Sequence, residues 1–188
     1  LAMTEERQNA GEGGKSGQLK IFFGYAAGVG KTYAMLQAAL MAEERGMDVV
    51  IGSIAPYRSL EDTALAERLR AMERLEKFDL DQAIRELLKA GISVYTTVSA
   101  QNIESLNDIV TAITRVPVKD RIPDSVFDHA DQVELVDLEP RELLERLRNG
   151  ALAEKEGEQT PETAYFAVAS LTALREVALR RCADRINI

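Results

Sequence analysis

Residues 19–36 read LKIFFGYAAGVGKTYAML. An apolar run, a glycine-rich turn ending Gly-x-Gly-Lys-Thr and an amphipathic start follow one another, the order of a strand, a phosphate-cradling loop and a helix. Backbone N–H groups of a tight turn at a helix N-terminus converge on an anion, so Gly28 and Gly30 let the chain bend around phosphate oxygens with no Cβ in the way. Lys31 is placed to supply a point charge to β- and γ-phosphates, and the Thr32 hydroxyl to bind Mg2+. Gly24, Ala27, Val29 and Tyr33 complete the residues expected to line a nucleotide. In the strict pattern G-x-x-x-x-G-K-[ST] the first glycine would be residue 25; that residue is Tyr25, and the glycine stands one place earlier at Gly24. A turn that used glycine only for geometry would have no need of a Lys-Thr pair at the mouth of the helix.

Composition bounds the rest. The 188 residues, 46% hydrophobic, suffice for one domain with a proper core. With a net charge of −8, nucleic-acid binding would need a local basic stripe. The one dense basic cluster, Arg175, Arg180, Arg181 and Arg185, reads as a solvated face of a terminal helix, so no direct nucleic-acid partner is expected. A single cysteine, Cys182, excludes an intramolecular disulfide and a cysteine-only metal site; with His129 the one histidine, zinc is not expected either. A reducing cytoplasm fits. No apolar run approaches a membrane span, and residues 1–18 lack the hydrophobic core of a signal peptide and read as a flexible tail.

Strands and helices then alternate. Strand 19–24 leads to helix 31–45, with apolar Ala34, Leu36, Ala38, Ala39 and Met41, and DVVIGSI (48–54) is a buried strand. Pro56 opens a turn. Leu60, Leu65, Leu69, Met72 and Leu75 are spaced as a helix capped by Ser59, with Asp62 in a capping-box-like position. A helix over 78–91 closes at Gly91, and ISVYTTV (92–98) is a strand. Asn102 caps helix 103–115, 116–132 is mixed loop, 133–138 is a strand and 140–150 a helix opened by Pro140. Thr160-Pro161 starts a terminal helix, 160–188, whose apolar face carries Tyr165, Phe166, Val168, Leu171, Leu174, Val177, Ala178 and Leu179. The pattern is α/β: a three-layer sandwich of P-loop NTPase type, its sheet mostly parallel with helices on both faces, in one domain over 19–188.

Turnover is less legible than binding. A P-loop hydrolase or kinase carries a second apolar strand ending in Asp that orients Mg2+. The literal candidate, Val133 to Asp137, is interrupted by Glu134 and runs into a Pro-capped helix, so Asp137 reads as a capping or solvated residue. No residue is assigned to catalysis. An Asn-Lys-x-Asp guanine-reading motif is also lacking.

FFGYAAGVGKTYAML (22–36), GISVYTTVSAQNIESLNDIV (91–110), IPDSVFDHADQVELVDLEPRELLERLRNG (122–150) and LTALREVALRRCADRI (171–186) together resemble the amino-terminal cytoplasmic domain of the KdpD family, osmosensitive potassium-channel sensor histidine kinases. The resemblance runs in order over almost all of 19–188. It implies an ATP- and Mg2+-binding regulatory domain at the head of a bacterial inner-membrane sensor kinase. A universal-stress-like domain, membrane spans and a transmitter would follow, and the transmitter would phosphorylate the response regulator KdpE to switch on potassium uptake. The family shares the early glycine at Gly24. Two departures stand out. Between the matches to 78–84 and 85–92 the family usually has an apolar strand ending Asp-Glu-Leu-Ala-His-Thr-Asn, whereas here Ile84 runs directly into Arg85. Either the Walker B strand is lost, or the sequence omits a stretch present in the molecule; omission is favoured, because deleting a central strand exposes the edges of both neighbours. Ser99-Ala100-Gln101-Asn102 stands where the family commonly has Asn-Val-Gln-His, which leaves Gln101 a weak role near the phosphates.

Three functions follow as expectations. The first is an ATP-sensing module that shifts a two-state equilibrium in the attached kinase, with hydrolysis weak at most. The second is a self-sufficient ATPase or small-molecule kinase. The third is a docking module with a vestigial loop and the last helix as its contact surface. Homodimerisation is left open.

Overall fold

The computed structural model describes residues 2–5, 16–52, 64, 66–71, 80–118, 120–150 and 167–186. Its strands are β1 (Ala2–Glu5), β2 (Leu19–Gly24), β3 (Asp48–Ile51), β4 (Arg70–Ala71), β5 (Ser93–Ser99) and β6 (Gln132–Leu135). Its helices are α1 (Lys31–Glu44), α2 (Leu80–Lys89), α3 (Asn107–Thr114), α4 (Asp124–Asp128), α5 (Pro140–Gly150) and α6 (Val168–Ile186). The sheet order is β4-β3-β1-β5-β2-β6. The architecture is α/β, a six-stranded sheet flanked by helices that combines parallel pairing with an antiparallel β1.

The chain divides into two compact units. The first comprises Leu1–Phe22, Thr32–Thr97 and Ala130–Gln132. One face of α1 buries Leu36, Ala39, Leu40 and Ala42 against Val49, Ile51, Ala66 and Leu69, with Met47 and Tyr95 at the margin. This is a face at helical spacing, and it leaves Met41, expected inside, 52% exposed. The helix expected over 59–78 is helical at Ala64 and Ala66 but does not run through: Arg70–Ala71 pairs parallel to β3 as β4. Pro56, Ser59, Leu60, Asp62, Leu65, Met72 and Leu75 lie outside the described residues. Helix α2 passes without a break through the Ile84-Arg85 junction.

The flexible tail expected over 1–18 needs a second correction. Ala2–Glu5 pairs antiparallel with β3 on one side and β5 on the other, Ala2 standing opposite both Ile51 and Tyr95. A sheet expected to be mostly parallel thus has an antiparallel strand in its interior. Two open ladders of N–H and C=O groups are a strong template for any extended segment within reach. Ser16 to Gln18 are also fastened: the Gly17 N–H donates to the Leu88 carbonyl at 2.8 Å and the Val94 N–H to that of Gln18 at 2.8 Å. A Cβ on Gly17 would stand 2.1 Å from the Ile92 carbonyl oxygen, so only glycine fits this approach.

The second unit comprises Phe23–Lys31, Val98–His129 and Val133–Ile188. Its interior is built on Phe23, packed edge-on to Phe127 with ring centroids 4.8 Å apart, and on Leu143, Leu171 and Leu174. Asn102 does not cap a long helix. Two short 3-10 turns, Ala100–Asn102 and Glu104–Leu106, precede α3, and the Asn102 side chain instead donates to the Asp120 carbonyl at 2.9 Å. The loop expected over 116–132 contains α4. On α6 the buried positions are Leu171, Leu174, Ala178 and Arg181, a narrower stripe than expected, with Val168 and Leu179 at its exposed margins. Thr160, Pro161, Tyr165 and Phe166 lie outside the described residues.

Three of the four arginines read as a solvated face are anchors. Arg181 is 8% exposed, donates to Asp128 at 2.6 Å and Asp124 at 3.3 Å, and lies over the Phe127 ring. Arg175 grips Asp137 with Nε and Nη2, and Arg185 Nε donates to the Phe127 carbonyl. Arg180 alone of the four is exposed. The Arg181 and Arg185 guanidinium groups thus satisfy partly buried acceptors whose desolvation would otherwise be costly. Among the described residues, no helix is long and apolar enough to cross a membrane.

Candidate functional site

The chain leaves β2 at Gly24 and turns through residues 25–30 before α1 begins at Lys31. Gly28 has φ 87° and Gly30 φ 101°, backbone conformations that side chains oppose. Gly24 is required for a different reason: a Cβ there would stand 2.7 Å from Val29 Cγ2 and 3.2 Å from both Cγ and Cδ of Lys31. The early glycine lets the loop close with Val29 and the lysine stem packed over it. Tyr25 is 1% exposed and its hydroxyl donates to the Leu138 carbonyl at 2.8 Å, which ties the loop entrance to the segment that follows β6. The Val136 N–H donates to the Phe23 carbonyl at 2.7 Å, extending that tie along the chain.

Lys31 folds back over the loop, and its ammonium donates to the Ala26 carbonyl at 2.7 Å. Burial lowers its pKa to about 8 from an ordinary 10.5, since desolvation disfavours the charged form. Among the described residues no carboxylate pairs with it. A desolvated cation held by one neutral carbonyl, at a helix N-terminus beside two left-handed glycines, suits an anion.

Of the expected residues, Gly24, Ala27, Gly28, Val29, Gly30 and Lys31 come together in the second unit. Val29 is 4% exposed and acts as packing beneath the turn. Thr32 and Tyr33 follow as the next residues of α1 and belong to the first unit. Tyr33 is exposed, and its hydroxyl accepts a hydrogen bond from Gln37 at 2.9 Å. Asp137, the weighed Walker B candidate, is exposed as expected, and both its oxygens are held by Arg175.

Sequence reasoning passed over Arg146 on α5. Leu143 and Leu147 lie beneath the loop, each with a carbon 3.2 Å from where a Gly28 Cβ would be. Arg146, between them in sequence and exposed, has Nη1 3.5 Å from the Gly28 carbonyl and 3.7 Å from the position of a Gly30 Cβ. The available signal was spacing: 143, 146 and 147 share one helix face.

The fold is an α/β module with a glycine-rich loop between β2 and α1, and comparison places it among known proteins. The family described as the osmosensitive K+ channel His kinase sensor domain, KdpD, matches residues 15–85 and 79–186. The chain belongs to this family. It is 46% identical over 209 residues to a sensor protein KdpD of Clostridium acetobutylicum, covering 91% of this chain and 23% of that protein. The corresponding protein of Escherichia coli K12 is 37% identical over 209 residues, with the same coverage. The chain therefore spans about a quarter of the length of these relatives. Since 91% of 188 residues is about 171, about 38 of the 209 aligned positions have no residue here. The family match breaks in two at 79–85, around the Ile84-Arg85 junction. A chain in the solved Pnkp1/Rnl/Hen1 RNA repair complex gives a TM-score of 0.39 at 19% identity over 88% of this chain and 47% of that one, too low to carry an argument.

Proposed function

We propose that this chain is the ATP-binding regulatory module of a Kdp-type sensor histidine kinase, a P-loop domain that takes the nucleotide's phosphates on residues 24–32. The observation that carries this reading is Lys31, a desolvated ammonium with one carbonyl partner, beside Gly28 and Gly30 in left-handed conformation. In the proposal the loop N–H groups and Lys31 hold the phosphates, and the Thr32 hydroxyl holds Mg2+. Bound ATP biases the attached kinase only through different affinity for its two states. In the whole protein, a cytoplasmic domain of this kind would act from the inner membrane on phosphotransfer to the response regulator KdpE, and so on potassium uptake.

Hydrolysis is expected to be weak at most, because Asp137 is committed to Arg175 and the family's Asp-Glu segment is not in the sequence. Calorimetry of ATP binding with and without Mg2+, on the parent chain and on Lys31→Ala, tests the reading. Saturable binding lost in Lys31→Ala supports it. A parent chain that binds no nucleotide overturns it in favour of a docking module with a vestigial loop.

A further inference from the structure

Four positive or partly positive features converge on one short turn: the N-terminus of α1, the left-handed glycines, Lys31 and, from α5, Arg146. The last differs from the three anchoring arginines of α6. Arg175, Arg181 and Arg185 are each committed to a carboxylate or carbonyl at 3.3 Å or less. Among the described residues Arg146 has only the long contact to Gly28, and no carboxylate pairs with it. Its helix is nonetheless fixed against the loop through buried Leu143 and Leu147, so the stem is anchored while the guanidinium is free to turn.

We propose that Arg146 is a second phosphate-contacting cation of the 24–32 loop, one that selects ligands carrying a polyphosphate chain; this rests on the reading of that loop as a nucleotide site. The chemistry is that of a planar fork of donors beside a lysine point charge. Lys31 serves the oxygens inside the turn, while Arg146, next to Gly30 on the rim, leaves the Gly28 carbonyl and donates to oxygens farther along the chain. A monophosphate seated in the turn offers the rim nothing, whereas a triphosphate does. Leaving a 3.5 Å contact costs little, and a charge-assisted pair with phosphate replaces it.

The test is calorimetry of ATP, AMP and inorganic tripolyphosphate with the parent chain, Arg146→Gln and Arg146→Lys, alongside thermal melts without ligand. Arg146→Gln is expected to weaken ATP and tripolyphosphate by about tenfold to a hundredfold, to leave AMP unchanged, and to melt with the parent. Arg146→Lys recovers part of the loss, since it restores charge without the fork. Equal ATP affinity in the parent and Arg146→Gln overturns the proposal, as does an equal loss for ATP and AMP or a lowered melting temperature, which would mark a structural role. A parent chain that binds none of the three ligands is a different failure, overturning the nucleotide reading itself and this inference with it.

Discussion

Lys31 carries the sharpest consequence at the level of single residues. Its folded pKa of about 8 lies below the ordinary 10.5, so the unfolded chain binds more protons between those values. Burying the ammonium therefore costs stability below about pH 8, and the cost is relieved as pH rises toward 10.5. Binding runs the other way. A phosphate anion favours the charged lysine and raises its pKa, so ATP affinity should be level up to about pH 8 and then weaken by up to tenfold per pH unit. Calorimetry in steps to pH 9.5 reads this directly, and a flat profile would show that the ammonium does not meet the ligand. Gly24 gives a second outcome. Gly24→Ala puts a methyl 2.7 Å from Val29 and 3.2 Å from the Lys31 stem, so the loop must open. ATP affinity should fall at least tenfold and stability by about 1–3 kcal/mol, measured by calorimetry and melts. A variant that binds and melts as the parent would show that the loop can close without that glycine. The motif Gly-x-Gly-Lys-Thr was legible in the sequence because it is local. The packing of Val29 and Lys31 onto Gly24 was not, because it depends on how the turn folds back on itself.

At the level of elements, the strands and helices with strong local signals stand where periodicity put them: β2, α1, β5, α5 and the body of α6. What periodicity missed was set by partners distant in sequence. The α6 arginines looked solvated because a charged stripe usually is, yet Arg181 finds Asp124 and Asp128 on α4. Although burial pushes the Asp124 carboxyl upward, hydrogen bonds from the Ser105 hydroxyl and N–H, with the charge of Arg181, outweigh it and hold the pKa below the ordinary value. A depressed carboxyl contributes stability that is present above its unfolded pKa and lost as pH falls through the folded one. Arg181→Ala leaves two carboxylates without their cation and uncovers Phe127, so it should cost about 3–5 kcal/mol near neutral pH. It should also flatten the acid limb of the stability curve. Urea unfolding between pH 3 and 7 separates these effects; a parent-like midpoint would mean the α4–α6 ion pairs are ornamental.

For the molecule as a whole, the sheet raises a question of composition. The relatives carry about 38 positions that this sequence lacks, and the family match breaks at 79–85, where α2 runs straight through the junction. A parallel α/β sheet that lost an interior strand would leave two edges open, the argument by which the sequence alone favoured omission over loss. In this chain β1 lies between β3 and β5, antiparallel to both, so the interior position is filled by a segment read from composition as a tail. Residues 1–18 look tail-like because they are polar and glycine-rich, and composition cannot reveal an edge waiting elsewhere in the chain. If β1 supplies the closure, deleting residues 1–5 uncovers the ladders of β3 and β5 together, and the two edges should seek strands from other copies. The deletion variant is then expected to elute at higher mass on size exclusion, more so at higher protein concentration, and to melt lower than the parent. Gly17→Ala provides an independent check: its methyl would collide with the Ile92 carbonyl beside β5, loosening the chain that leads from β1 to β2 without removing β1. It should lower the melting temperature while the chain keeps its elution volume. A deletion variant with the parent's elution and melting temperature would show that β1 does not hold the sheet closed, and would return the vacancy between β3 and β5 to a stretch absent from this sequence.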